Sequence, residues 1–321
     1  MATPDKCMYI GHVKLKGNLL LAPMADVTNL PFRSLCKKYG AALVYSEMVD
    51  ADGVIHHSNK TISRIVSSEK ERPVGIQLSG ASAQSLEQAA CSVEEQFSPD
   101  LVDINFGCPI RHIVKKGCGA ALMKSPQLMA DIMEKVSGSI SVPVTAKVRV
   151  YNDPDRTLEM AHMLEDAGAS ALTVHARTPQ QNYSHSAGWD VIRAVKEELT
   201  IPVIANGDID SEWAARAVLE QTHCDGLMIG RAAIGNPFIF RRVGYFLETG
   251  ELLEPRGVSE QVDDFFGYID MSRKYGLLDY ADVKLHAKWF TRGIEGGKLL
   301  RTRINAAKDI DSVLEVMGGI R

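Results

Sequence analysis

The feature that most constrains this chain is a rhythm. Short runs rich in Val, Ile and Leu recur at residues 19–24, 42–48, 74–78, 101–105, 142–150, 171–175, 202–205 and 226–229. Near-continuous apolar runs of this length are what parallel strands covered on both faces look like. Helical patterns lie between them. Residues 82–97 put Leu86, Ala89, Ala90, Val93 and Phe97 on one face. Ser125 followed by Pro126 reads as an N-cap and first-turn proline, with Leu128, Met129, Ile132, Met133 and Val136 as the buried stripe. Ser211 opens another helix, and Gly40 and Gly168 stand where helices should stop. Eight strand–helix units in succession predict an α/β (β/α)8 TIM barrel, with a doubly wound open sheet as the competing arrangement. From Tyr245 to Arg321 the strand pattern ceases and helical stretches at 259–275 and 281–292 take over. The expected division is a barrel over 1–243 and a small C-terminal helical domain over 244–321.

Composition narrows the function classes. With 45% hydrophobic and 24% charged residues the chain reads as globular. No run approaches the ~18 apolar residues of a membrane span, and the N-terminal stretch lacks a signal peptide's apolar segment, so the expected location is the cytoplasm, with no membrane partner. Six cysteines, none spaced C-x-x-C, are expected to be thiols rather than a zinc or disulfide framework. The net charge of −4 excludes nucleic-acid binding by bulk charge but allows a local basic face. Such a stretch exists. Lys284, Lys288, Arg292, Lys298, Arg301, Arg303 and Lys308 are opposed only by Glu295, with Trp289 and Phe290 among them. It reads either as a solvated helix face or as a phosphate-contacting surface.

In a barrel, chemistry gathers at the carboxyl ends of the strands. There the chain delivers Pro23, Met24 and Ala25 after the first strand, Gln77 on the third, and Asn105 before the Gly107-Cys108-Pro109 turn on the fourth. The fifth carries Lys147 and Arg149, the sixth His175 and Arg177, the seventh Asn206, Gly207 and Asp208, and the eighth Gly230 and Arg231. Lys147, inside an apolar run, is expensive to bury without a partner; it either pairs with an electron-rich ligand or snorkels out. The glycines of the last two strands, one followed by Arg231, suit a phosphate. Cys108 begins a long basic loop, and a thiol there can act as a proton donor. Cys118 is a rival thiol and His112 a second proton carrier in the same loop.

At these residues the chain resembles the tRNA-dihydrouridine synthase family. The matching pieces are APMADVTNLPFR (22–33), SEM (46–48), VGIQLSG (74–80), DINFGCPIRHIVKKGCGAALM (103–123), TAKVR (145–149), TVHAR (173–177), ANGDI (205–209) and IGRAAIGNPFIF (229–240). They follow the family's order and spacing across the barrel. HAKWFTRG (286–293) resembles the family's helical RNA-binding domain more weakly. Cys118 and Asp26 depart from the family pattern, which commonly has a small apolar residue and glycine there.

The resemblance implies an FMN-dependent oxidoreductase with NADPH as reductant and tRNA as substrate, and no obligate protein partner is evident. The reduced flavin would pass hydride to carbon 6 of a uracil and Cys108 would protonate carbon 5. Pro23, Met24, Ala25, Gln77, Lys147, His175, Asn206, Gly207, Asp208, Gly230 and Arg231 would contact FMN, and Asn105 would grip the uracil edge. Lys115, Lys116, Arg149, Arg177, Lys298, Arg301 and Arg303 are expected to meet tRNA. No G-x-G-x-x-G follows a strand, which favours FMN over a dinucleotide. Two alternatives stand beside this reading: an FMN barrel acting on a free pyrimidine, similar to dihydroorotate dehydrogenase, and a catalytically silent RNA-binding relative.

Overall fold

Each of the eight apolar runs contributes a strand. In the computed structural model, which describes residues 7–181 and 186–320, these are β1 (Leu19–Leu21), β2 (Val44–Tyr45, resuming at Val49–Asp50), β3 (Val74–Ser79), β4 (Leu101–Asn105), β5 (Val144–Arg149), β6 (Leu172–His175), β7 (Val203–Asn206) and β8 (Gly226–Ile229). All pair in parallel in the order β1-β8-β7-β6-β5-β4-β3-β2. The ring closes where Leu20 of β1 bridges Leu43 beside β2, supported by the Leu21 amide on Leu43 O at 2.9 Å and the Ala42 amide on Leu19 O at 2.7 Å. The (β/α)8 barrel is therefore the architecture, and the open sheet is excluded.

The strands are buried, but their two faces differ. Ile76, Leu78, Val102, Ile104, Val144, Ala146, Val148, Val174, Ala205 and Ile229 point outward and form one core with the surrounding helices. Low in the barrel the inward face is apolar, where Leu20, Tyr45, Leu101, Ala171 and Ile204 meet Met8, Ile10 and Leu15. Those last three belong to an antiparallel hairpin, Met8–Ile10 with Val13–Leu15, that plugs the barrel floor. The sequence pattern alone does not announce it. Higher up, the inward positions are polar: Gln77, Asp103 and Thr145 lie in register, as do Asn105, Lys147 and Thr173, and Arg149, His175 and Asn206.

The helices follow their punctuation. Ala83–Phe97 starts at Ser82, whose side chain accepts the Ser85 amide, and Glu212–Thr222 starts at Ser211, which accepts the Ala214 amide. Pro126–Ser139 starts with its proline, but Ser125 makes no side-chain cap. Gly40 and Gly168 both adopt positive φ after their helices.

The 243/244 division expected from the sequence falls inside one helix, Ile239–Thr249. Beyond it come Val258–Lys274, Tyr280–Phe290, Gly297–Ala306 and Ile310–Gly318, with no strand among the described residues after β8. This helical region docks on the barrel's first helix, Leu30–Lys38. Asn29 Nδ2 donates to Tyr268 Oη at 3.0 Å, and the His286 ring, stacked on Tyr268 at 4.0 Å, lies 5.7 Å from Phe32. No helix among the described residues is long and apolar enough to cross a membrane.

Candidate active site

A cavity of about 370 Å³ opens at the carboxyl ends of the strands. Of the residues expected to hold a cofactor, Pro23, Met24, Lys147, His175, Asn206, Gly207, Asp208, Gly230 and Arg231 line it. Ala25 lies outside on an exposed turn, and Gln77 is buried beneath. Ile209, Asp210, Met228 and Ala232 also line the cavity without having been singled out.

Lys147 does not snorkel. Its Nζ donates to Asn206 Oδ1 at 2.8 Å, and Asn206 Nδ2 donates in turn to Met228 O at 2.7 Å. The Lys147 ammonium is lowered to about 8, chiefly by burial and in part by Arg149, with Asp103 and Cys108 opposing both. His175 is held far below its ordinary value by burial and by four cations, Lys147, Arg149, Arg177 and Arg231, so it is neutral at pH 7. Gly207 is required beside it. Its φ is +125°, and a Cβ there would sit 3.2 Å from His175 Cδ2. The site is thus a concave, polar pocket with one buried ammonium, one half-exposed guanidinium, Arg231, at its rim, and two carboxylates, Asp208 and Asp210, in its lining.

The two remaining arginines of the site, expected from the sequence to meet substrate, are buried and engaged by neighbouring loops. Arg177 is 1% exposed and its Nη2 donates to both oxygens of Asp208 at 2.7 and 2.6 Å; Asp208 also accepts Arg231 Nη2 at 3.2 Å and the Ala187 amide at 2.9 Å. Arg149 is likewise buried, donating to Gly107 O at 2.9 Å and Thr178 O at 2.8 Å. Both clamp loops together, because a buried guanidinium must find acceptors and the nearest are loop carbonyls and a carboxylate.

Cys108 sits in the turn after β4, partly exposed. Burial pushes its thiol up, only partly offset by the Ile110 amide, Arg149 and Lys147, so it is protonated at neutral pH. Gly119, at φ +59°, lets the following loop pack on this turn: a Cβ there would stand 2.7 Å from Cys108 O, and the Ala120 amide bonds that same oxygen at 3.0 Å. Cys118 is buried, its thiol raised by burial and by Asp50, and Sγ faces Lys116 O. Asn105 has little left to offer a base edge: Oδ1 accepts the Gly107 and Cys108 amides at 3.1 and 2.8 Å, and Nδ2 donates to Gln77.

Outside the cavity, Lys115 is exposed and Lys116 pairs with Asp50 at 2.9 Å. In the helical region Lys298 and Arg303 are exposed, whereas Arg301 is half-buried and donates to Thr291 O at 3.3 Å. Lys284 is turned inward onto Tyr280 Oη and Ala307 O.

Known proteins resemble this chain along its whole length. The family model for dihydrouridine synthase matches residues 20–318. A tRNA-dihydrouridine synthase B of Shewanella oneidensis is 44% identical over 289 residues, 88% of this chain and 89% of that relative. One from Vibrio cholerae is 39% identical over 320 residues, 97% of this chain and 98% of its own. Among solved structures, the old yellow enzyme homologue from Zymomonas mobilis superposes with a TM-score of 0.54 at 15% identity, covering 79% of this chain and 94% of that one, a likeness of fold. With a full-length family match and relatives above a third identical, the chain belongs to the dihydrouridine synthase family.

Proposed function

We propose that this protein is a tRNA-dihydrouridine synthase, reducing uridines in tRNA to 5,6-dihydrouridine with FMN as cofactor and NADPH as reductant. The observation that carries the reading is a cavity lined by the buried ammonium of Lys147 and the rim guanidinium of Arg231, next to a strand whose following turn holds a protonated, partly exposed thiol. About 370 Å³ lies within the range of roughly 300–1,000 Å³ typical of small-molecule sites. The donor set suits a flavin mononucleotide. Arg231 and the start of the short helical turn Arg231–Ala233 would take the phosphate. Lys147 would stabilise negative charge on the ring's pyrimidine end.

When bound, FMN supplies the hydride for uracil carbon 6. Cys108 then delivers a proton to carbon 5, a role that a thiol kept protonated by burial can fill at neutral pH. Asn105 holds the turn that presents the thiol, leaving one amide hydrogen for substrate. A uracil in folded tRNA is stacked and must be extruded to reach the cavity, at a cost of a few kcal/mol. Exposed cations would offset this by gripping phosphates: Lys115 in the loop after Cys108, and Lys298 and Arg303 on the helical region. We assign tRNA binding to the helices from Val258 onward and place the junction with the barrel in the extended segment after Gly250.

The test is direct. Purified protein reconstituted with FMN and given NADPH should convert tRNA uridine to dihydrouridine and leave free uracil and dihydroorotate untouched. Turnover of a free pyrimidine without tRNA, or failure to bind FMN, would overturn the reading.

A further inference from the structure

We infer that Asp103, buried beneath the cavity, is a positioning residue for Cys108: its carboxylate anchors the far end of a hydrogen-bond chain that runs through the Gln77 and Asn105 amides to the turn carrying the thiol.

The chain can be followed atom by atom. Asp103 is 1% exposed, on the inward face of β4. Its Oδ1 accepts Thr145 Oγ1 at 2.6 Å and its Oδ2 accepts Gln77 Nε2 at 2.7 Å. Gln77 Oε1 accepts Asn105 Nδ2 at 3.0 Å. Asn105 Oδ1 accepts the amides of Gly107 and Cys108 at 3.1 and 2.8 Å. A primary amide has two ends of nearly the same shape but opposite hydrogen-bonding sense. Two amides in series can therefore point either way, unless something at an end chooses.

Both ends choose here, and they agree. An ionised carboxylate can only accept, so it demands the NH2 end of Gln77. The turn amides can only donate, so they demand the oxygen of Asn105. Between those two demands one arrangement of the pair satisfies every partner. With the accepting end removed, Gln77 Nε2 is left buried and unpaired, at a cost large enough to drive the side chain elsewhere. Asn105 then loses its brace, and the turn loses the side chain that pins it. The ammonium of Lys147 lies in register with Asn105 and is electrostatically coupled to Asp103, so a second role, as counter-charge to Lys147, has to be separated experimentally.

Two substitutions separate them. Asp103→Leu is close in shape and has no acceptor. Asp103→Asn keeps an oxygen for Gln77 and an NH2 for Thr145 Oγ1, while removing the charge. The readout is the alkylation rate of Cys108 by iodoacetamide across pH, measured by peptide mass spectrometry, with buried Cys118 in the same digest as reference and thermal melting as a folding control. The positioning role predicts that Asp103→Leu raises the Cys108 rate relative to Cys118 by about tenfold or more, the scale set by leaving one buried donor unpaired, and that Asp103→Asn stays within about twofold of wild type. An unchanged ratio in folded Asp103→Leu overturns the proposal, and so does an Asp103→Asn protein as perturbed as Asp103→Leu, which makes charge the operative property. Should Asp103→Leu fail to fold, Gln77→Leu cuts the same chain with the carboxylate in place. It must reproduce the rise while Asp103→Asn does not, and any other pattern counts against the chain. The inference rests on the proposed synthase reading only in saying what the positioned thiol is for. Alkylation requires neither tRNA nor cofactor, so a different substrate would leave this result intact.

Discussion

Lys147 and Cys108 are tuned in opposite senses by the same burial: the ammonium is made easier to deprotonate and the thiol harder. Each gives a prediction. An anionic ligand in the cavity favours the charged lysine, whose value without ligand is about 8. Below that pH the lysine is already charged; above it, binding must take up a proton. FMN affinity should therefore be flat below pH 8 and fall above it, and Lys147→Met should bind more weakly with that slope removed. Flavin fluorescence titrations across pH would show it, and a slope that survives Lys147→Met would assign the titration elsewhere. Cys108→Ala should retain FMN and NADPH oxidation while tRNA reduction falls about 10²–10⁴-fold, the range for a positioned proton donor. Single-turnover assays would measure this, and Cys118→Ala should be far milder because that thiol is buried and faces a backbone carbonyl. At this scale the sequence is legible where a residue is chemically out of place. Lys147 stands out as a charge inside an apolar run. Asp103, in LVDIN, carries the same signal, though its role shows only once its partners on β3 and β5 are known. The fates of Arg149 and Arg177 are not legible, because whether a strand-end guanidinium faces solvent or a neighbouring loop depends on how that loop folds.

Strands and helices are easier to read than the loops that join them. The outward face of every strand is apolar and packs on a helix, so the runs stand out. Their polar inward positions, spaced two apart, are diluted within those runs. The floor hairpin escapes notice because its strands have three residues each, too few for their alternation of buried and exposed positions to stand out. β2 comes in two short halves because the chain leaves and rejoins β3 around Glu47, whose carboxylate accepts the Asp26 amide. One departure from the family pattern lies at the same place: Asp26 sits at φ +60°, a conformation natural to glycine that aspartate also adopts, and its carboxylate accepts Arg64 Nη2 at 3.3 Å. The loop after Cys108 depends on the same freedom at Gly119. Gly119→Ala should destabilise the protein by about 1–3 kcal/mol, through both positive φ and the clash with Cys108 O. Gly138→Ala, in a helix with open space around it, should be neutral or stabilising by about 0.5 kcal/mol. Chemical denaturation of the two variants compares them, and equal stabilities would mean that the Cys108 turn is not braced as described.

For the molecule as a whole, the barrel builds the site and the helical region is assigned the grip on a large polyanion. The net charge of −4 means that this grip must be local. Of the basic residues singled out in the sequence, Lys284 and Arg301 are partly spent on internal carbonyls, so Lys298 and Arg303 make the cleaner test. Replacing both with Ala should weaken tRNA binding and reduce the salt dependence by roughly one log–log unit for each phosphate no longer neutralised, with FMN content unchanged. Superimposable salt titrations would remove these residues from the interface. The central claim, that the chain makes dihydrouridine in tRNA, is tested most directly by mass spectrometry of tRNA from cells with and without this gene. The account predicts that one or more uridines carry two extra hydrogens only when the gene is present, restored by the wild-type gene but not by one encoding Cys108→Ala. Dihydrouridine unchanged at every position after deletion would contradict it.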